Sequence, residues 1–338
     1  MAIRRNQAPT LADVAREARV SLKTASRVLN ESANVRQEKV TKVRAVMARL
    51  RYRPNELARS LMTRKSSAIG MIVANLSNPF VTKVIKEVQE VARTKGYVVV
   101  VTSSGGRADV ERSEIDTLVR RQIDGLIIAP AESRHDTFST ALPPHLPLVT
   151  LDQLVRGAHF DSVTVTNRRS ASEVTRHMLD HGFKGVVAIG TRPHLYTSRE
   201  RVAGYREVMS QSFFPPKACL VEHEELLTAQ WLKDQILRGH AADAIFSLNW
   251  VSTLYVLRGL RELGIKVGRD IPLIAFDDFD LGDLLNPRLS VVQQPSEMLG
   301  RESARLIFER LNADETRPSR KVVLAANMVI RESCGCKS

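Results

Sequence analysis

The chain has 338 residues, 43% hydrophobic and 26% charged, the balance of a globular protein with room for two or three cores. No apolar run reaches the roughly 18 residues of a membrane helix. The opening Met-Ala-Ile-Arg-Arg-Asn-Gln has no apolar stretch of a secretory signal, so a cytoplasmic protein with no membrane partner is expected. Its charge is uneven. The first 65 residues hold sixteen of the 50 Lys and Arg but five of the 37 Asp and Glu, which puts +11 of the net +13 there. A segment this basic repels itself, and a polyanion is its natural partner.

Thr10 or Asp13 can cap a first helix, on which Leu11, Val14, Ala15 and Ala18 form one apolar face. Ser21 suits the N-cap of a second helix, with Ala25, Val28 and Leu29 inward and Leu22, Lys23, Ser26 and Arg27 outward. A third helix, about Gln37 to Leu50, buries Val40, Val43, Met47 and Leu50. Three short helices with a basic exposed face predict an all-α helix-turn-helix head that reads double-stranded DNA. The hydroxyls of Thr10, Ser21 and Thr24 suit phosphate oxygens, and Arg27 can bond guanine through two donors. The competing reading is a solvated basic bundle.

After Arg64-Lys-Ser-Ser67 short apolar runs alternate with helical stretches. Strands are predicted at 68–74, 97–102, 125–129, 148–151, 163–165, 185–190, 244–248, 273–276 and 289–292. Helices are predicted at 80–95, 109–122, 168–181, 198–212, 228–238, 252–263 and 295–311. This alternation implies parallel sheets covered on both faces. About 270 residues exceed one core, so two doubly wound subdomains with a ligand cleft between them are expected.

No Gly-x-Ser-x-Gly, Walker A or Gly-x-Gly-x-x-Gly is present, so no catalytic residue and no cofactor is expected. Ser103-Ser104-Gly105-Gly106 reads as a plain turn. The eight histidines read as scattered, without a pair at helical metal-ligand spacing. Cys219, Cys334 and Cys336 are too few for a disulfide framework, and no second pair completes a zinc site with Cys334-Gly-Cys336. No metal is therefore expected. Asp277-Asp278-x-Asp280, after an apolar strand, reads as a sugar-hydroxyl acceptor before a metal site.

Residues 10–61 resemble the LacI/GalR family of bacterial transcription regulators. The resemblance rests on Thr10-Leu11-x-Asp13-Val14-Ala15, on Val20-Ser21-x-x-Thr24-x-Ser26-Arg27-Val28-Leu29-Asn30, and on Tyr52-x-Pro54-Asn55-x-x-Ala58-x-x-Leu61. It implies that Leu22, Lys23 and Arg27 read bases. It also implies that Tyr52, Asn55, Ala58 and Leu61 belong to a hinge that folds on the operator, with Leu61 wedged into the minor groove. Three positions depart from the family: Arg19 replaces the turn Gly, Arg36 the Ser that starts the third helix, and Ala25 a Val.

The resemblance continues through Ile69-Gly70, Asn78-Pro79-Phe80, Asp124-Gly125, Asp152, Glu200-Arg201-x-x-Gly204-Tyr205, Asn249 and Phe276-Asp277-Asp278. It implies a body like the periplasmic sugar-binding proteins, with Asp152, Arg201, Asn249 and Asp277 as polar groups of an effector pocket. Phe80 is a wall residue or core, and Trp250 a stacking ring or core. Thr166-Asn167 stands for the family's Asp-Asn. The expected domains are 1–53 for the head, 54–66 for the hinge and 67–338 for the body, with crossings near 166, 292 and 322.

The expected function is a sequence-specific regulator, a repressor, binding palindromic operator DNA as a homodimer and controlled by a sugar or sugar acid. The rivals are a sugar-binding or transport protein with an incidental basic head, and a cytosolic enzyme of sugar metabolism.

Overall fold

The computed structural model describes residues 9–29, 35–53, 65–133, 142–143, 145–155, 157, 159–237, 242–279, 282–313 and 317–336. Among these lie ten α-helices and twelve strands. The chain divides into two compact units, 1–66 and 67–338. None of the described helices is long and apolar enough to cross a membrane.

The first unit is the helix-turn-helix head. Helix α1 spans Leu11–Glu17, α2 Leu22–Leu29 and α3 Gln37–Arg49. Thr10 starts α1 with a reciprocal cap: its hydroxyl accepts from Asp13 N at 3.3 Å, and Asp13 Oδ2 accepts from Thr10 N at 3.0 Å. Ser21 Oγ likewise accepts from Thr24 N at 3.1 Å before α2. Such caps contribute about 1 kcal/mol each.

Val14, Ala18, Val28, Val43 and Val46 form the head's core. Val46 is buried where the periodicity placed Val40, Met47 and Leu50, which pack half-buried at the margin. Arg19 keeps left-handed backbone, φ +53°, which strains a residue with a Cβ by about 1 kcal/mol. Arg36 precedes α3 with no side-chain cap bond. Ala25 is fully buried.

The second unit carries two sheets. The first joins β1 (Ala68–Val73), β2 (Val98–Ser103), β3 (Gly125–Ile128), β4 (Leu148–Leu151), β5 (Asp161–Val165) and β11 (Lys321–Leu324). Their order is β11-β5-β4-β3-β1-β2, with all pairs parallel. The second joins β6 (Val186–Thr191), β7 (Lys217–Val221), β8 (Ala244–Ser247), β9 (Leu273–Phe276), β10 (Ser290–Gln293) and β12 (Asn327–Val329) in the order β12-β10-β9-β8-β6-β7. Only the β10–β12 pair in it is antiparallel. Every residue of β3, β4, β8 and β9 is buried, as strands covered on both faces require.

The covering helices are α4 (Pro79–Thr94), α5 (Ala108–Arg120), α6 (Asn167–Asp180), α7 (Tyr196–Met209), α8 (Ala229–Leu237), α9 (Trp250–Glu262) and α10 (Ser296–Leu311). Helix α4 starts where Asn78 Oδ1 accepts from Phe80 N at 3.0 Å and Pro79 fills the first turn. Its buried face is Phe80, Val84, Val88 and Ala92, at helical spacing.

The chain passes between the subdomains three times: after β5, between β10 and α10, and between β11 and β12. Helix α10 therefore returns to the first sheet, where the Arg310 guanidinium grips the buried Asp161 carboxylate through bonds of 2.8 and 2.9 Å. That pairing outweighs burial and holds the Asp161 carboxyl below its usual range. One apolar cluster runs from Ile69, Ile127 and Val149 of the first sheet into Ala188, Phe246 and Ile274 of the second.

Candidate functional site

In the head, α2 shows its outward face as expected. Leu22 is 54% exposed, Lys23 and Arg27 are exposed, and Thr24 and Ser26 are half-buried. The hydroxyls of Thr10, Ser21 and Thr24 are engaged in capping, with Ser21 Oγ 2.8 Å from Thr24 Oγ1. Each still stands at a helix N-terminus, where backbone N–H groups favour phosphate. Leu11 and Tyr52 are half-buried. Asn30, Asn55, Ala58 and Leu61 lie outside the described residues.

In the body, a cavity of about 140 Å³ opens at the C-terminal ends of both sheets. Its wall includes all six residues expected there: Phe80, Asp152, Arg201, Asn249, Trp250 and Asp277. Asp152 follows β4 and Asp277 follows β9, and both hold left-handed backbone, φ +62° and +80°. Non-glycine residues held in this way cluster at ligand sites.

Arg201 on α7 is 3% exposed and sits between the two subdomains' carboxylates. Its Nε donates to Asn167 Oδ1 at 2.8 Å and its Nη1 to Leu248 O at 2.7 Å. Its guanidinium carbon lies 3.5 Å from the Phe276 ring centre. Burial lowers its pKa, against the pull of Asp277 and Asp152. Burial pushes the Asp152 carboxyl up to about 6; Arg201 draws it down and Asp277 adds to the rise. Asp277 is held on both oxygens, by Gln294 Nε2 and by Trp250 N at 3.1 Å.

Asn249 touches the cavity, yet its amide is largely spent on the protein. Oδ1 caps α9 from Ser252 N at 2.8 Å, and Nδ2 donates to Thr191 Oγ1 at 3.1 Å. Phe80 belongs both to the wall and to the core. Trp250 is half-buried, bordering the cavity and the second apolar cluster, so each pair of readings merges. Thr166 ties the crossings, accepting from Ala326 N at 3.1 Å, and Asn167 orients Arg201.

Two acceptors on the cavity wall, Asp152 Oδ1 and Gln294 Oε1, are buried with no hydrogen-bond partner among the described residues. Gln294, Gln153 and Arg192 were not foreseen. Gln153 Nε2 donates to Thr197 Oγ1 at 2.9 Å, spanning the subdomains. Arg192, φ +53°, sends Nη2 across to Gly105 O at 3.1 Å. A Cβ at Gly106 would overlap the Arg192 guanidinium, so the turn at Ser103–Gly106 is the seat for that arm.

The acidic cluster divides. Asp277 faces the cavity, whereas Asp278 pairs with Arg331 at 2.8 and 3.0 Å and with Gln293. Asp280 lies outside the described residues. The reading of the histidines as scattered fails: His177 and His181 stand four apart at the end of α6, and Cys336 lies against them. The helical run was visible in the sequence, but its apposition to Cys336, 155 residues further on, was not.

Residues 10–55 match the family model of bacterial regulatory proteins, lacI family, and residues 175–334 that of a periplasmic binding protein-like domain. Catabolite control protein A of Staphylococcus epidermidis is 27% identical over 307 residues, 90% of this chain and 93% of that one. The HTH-type transcriptional regulator KdgR of Bacillus subtilis is 28% identical over 331 residues, 96% and 97% of the two chains. The lac repressor dimer bound to operator and the anti-inducer ONPF superposes with a TM-score of 0.84 at 22% identity, covering 97% of this chain and 99% of the other. A putative ribose operon repressor from Burkholderia thailandensis gives 0.70 at 28% identity, covering 78% and 99%. These relatives are regulators rather than enzymes.

Proposed function

We propose that this chain, a DNA-binding transcription regulator that joins a lacI-family helix-turn-helix domain to a periplasmic-binding-protein-like domain, is a repressor controlled by a neutral sugar. The observation that carries the ligand class is the pair of unpartnered buried acceptors, Asp152 Oδ1 and Gln294 Oε1. A buried acceptor without a donor costs about 1–3 kcal/mol, which a ligand hydroxyl removes. A sugar acid would instead bring a third carboxylate beside Asp152 and Asp277, while Arg201 already donates to Asn167 and Leu248. Trp250 and Phe80 supply apolar faces for the sugar ring.

In the head, α2 enters the major groove with Leu22, Lys23, Ser26 and Arg27 toward base edges. Thr10, Leu11, Ser21, Thr24 and Tyr52 lie along the backbone. The family resemblance adds Asn30 and the hinge positions Asn55, Ala58 and Leu61. One head reads one half-site, so a palindromic operator calls for a homodimer. The sugar acts by changing the angle between the subdomains, which Gln153 and Arg192 bridge.

Two titrations test this reading. Gel shifts should show a palindromic site held at least about a thousandfold tighter than random DNA, with affinity falling steeply in salt. Equal affinity for both removes sequence-specific repression. Calorimetry against matched neutral sugars and aldonic acids should give binding with the neutral members. Preference for the acids would reverse the assignment of Asp152.

A further inference from the structure

The end of α6 and the end of the chain converge on a cluster that the regulator's DNA and sugar chemistry does not use. His177 and His181 are one helical turn apart, so both rings project from the same face. Their centres are 4.3 Å apart and their planes are tilted by 42°. Cys336 Sγ lies 3.2 Å from His177 Nε2. One ligand atom from each of the three residues falls within 4.8 Å of the others. Tetrahedral zinc, with bonds near 2.0–2.3 Å, holds its ligand atoms about 3.4–3.8 Å apart, so small rotations of these side chains close the site.

The thiol is placed by the fold. Ser333 is fully buried, and its hydroxyl donates to Leu273 O at 2.6 Å and accepts from Ser290 N at 2.7 Å. Leu273 N donates to Ser333 O at 2.8 Å. Two residues on, Gly335 takes φ +72°, and a Cβ there would press on Pro272 Cγ at 3.1 Å. Glycine takes this left-handed turn beside Pro272 without strain, and the turn delivers Cys336 to α6.

One histidine nitrogen is already committed to the backbone. His181 Nδ1 lies 2.8 Å from His177 O. A carbonyl can only accept, so Nδ1 carries the proton and Nε2 keeps the lone pair. His181 is exposed and His177 and Cys336 half-buried, so an ion can enter from solvent.

We propose that His177, His181 and Cys336 bind a divalent ion of the zinc class. Two imidazoles and a thiolate select borderline-soft d-block ions over magnesium or calcium, which want oxygen. The Cys336 thiol gives its proton to solvent as the sulfur–metal bond forms, and water completes the fourth position. The site fastens the C-terminal segment to α6. The same helix begins at Asn167, the partner of Arg201, ten residues or about 15 Å away.

The test uses the untagged full chain, purified metal-free with reductant. Equilibrium dialysis with Zn²⁺ should give one tightly held equivalent. Co²⁺ in its place should give tetrahedral visible bands and a thiolate-to-cobalt charge-transfer band. Cys336→Ser should abolish that band. His181→Asn, at an exposed position, should weaken Zn²⁺ binding at least tenfold with an unchanged circular dichroism spectrum, and Cys334→Ser should keep the band. The proposal is overturned by failure to bind one equivalent, by a cobalt complex without the charge-transfer band, by unchanged affinity in His181→Asn, or by a band that follows Cys334 instead. A Cys334–Cys336 disulfide persisting in reductant would also overturn it.

Discussion

The head and the body treat charge in opposite ways. On the head, Lys23 and Arg27 stand in water on α2, and the Ser21 hydroxyl beside them caps the helix. In the body, Arg201 and Asp277 line the cavity and are fastened by neighbours before any ligand arrives, while Asp152 Oδ1 beside them stays unpartnered. A surface meant for a polyanion can leave its cations solvated, because counterion release supplies the binding energy on contact. A pocket for a small molecule has no such source when its guest is neutral, as proposed for this one. It must hold its polar groups in place beforehand, and burial makes each of them expensive to unpair.

The contrast breaks most visibly at Arg201. Arg201→Ala removes the cation that acts on Asp277 and Asp152 and leaves Asn167 Oδ1 and Leu248 O without their buried donor. It should destabilise the body by about 3–5 kcal/mol in denaturant unfolding, with sugar binding lost. A variant as stable as the parent would show that the guanidinium is not what balances Asp152 and Asp277.

Asp152 gives the next effect, with a definite sign. Its folded pKa of about 6 lies above the 3.8 of a free carboxyl, so the native state binds the extra proton. Stability should fall as pH rises from about 4 to 6, with the penalty complete above about 6. Asp152→Asn should remove that fall and raise stability at pH 8 by up to about 3 kcal/mol, read by thermal melts across pH. A sugar donating to the ionised carboxylate should bind more tightly as pH passes upward through about 6.

Arg27→Ala probes the other side. Operator affinity should drop by about 1–3 kcal/mol with discrimination relaxed at one base pair, while the melting temperature stays put. A loss shared equally by every DNA sequence would make Arg27 a phosphate contact. The smallest effect is at Arg19, where Gly relieves the left-handed backbone and should stabilise the head by about 0.5–1 kcal/mol in calorimetric melting.

Legibility follows the same divide. Nine strands and all ten helices were readable from period and apolar runs, because doubly covered strands are near-continuously apolar. The strands β7, β11 and β12 escaped. Lys217-Ala-Cys-Leu-Val is only half-buried for most of its length, Lys321–Leu324 alternates exposed and half-buried residues, and Asn327–Val329 is three residues long. Of the cavity's carboxylates, Asp277 is legible because it follows an apolar strand, and Asp152 through the family resemblance. Arg192, Gln153 and Gln294 were not, since nothing local distinguishes a polar residue that crosses a cleft from one that meets water. His177, His181 and Cys336 gather only when the chain's end returns to α6.

The three passages between the subdomains make a joint whose freedom is set by covalent bonds. Three roughly side-by-side cords forbid one lobe from sliding along or swivelling freely over the other, but let the pair rock like a book on its spine. Gln294 is itself part of a cord and bonds Asp277. Thr166, on a second cord, is pinned to Ala326 on the third. A guest lodged against Asp277, as proposed, would therefore pull on the spine directly, and leverage rather than a relay of side chains would carry its presence outward.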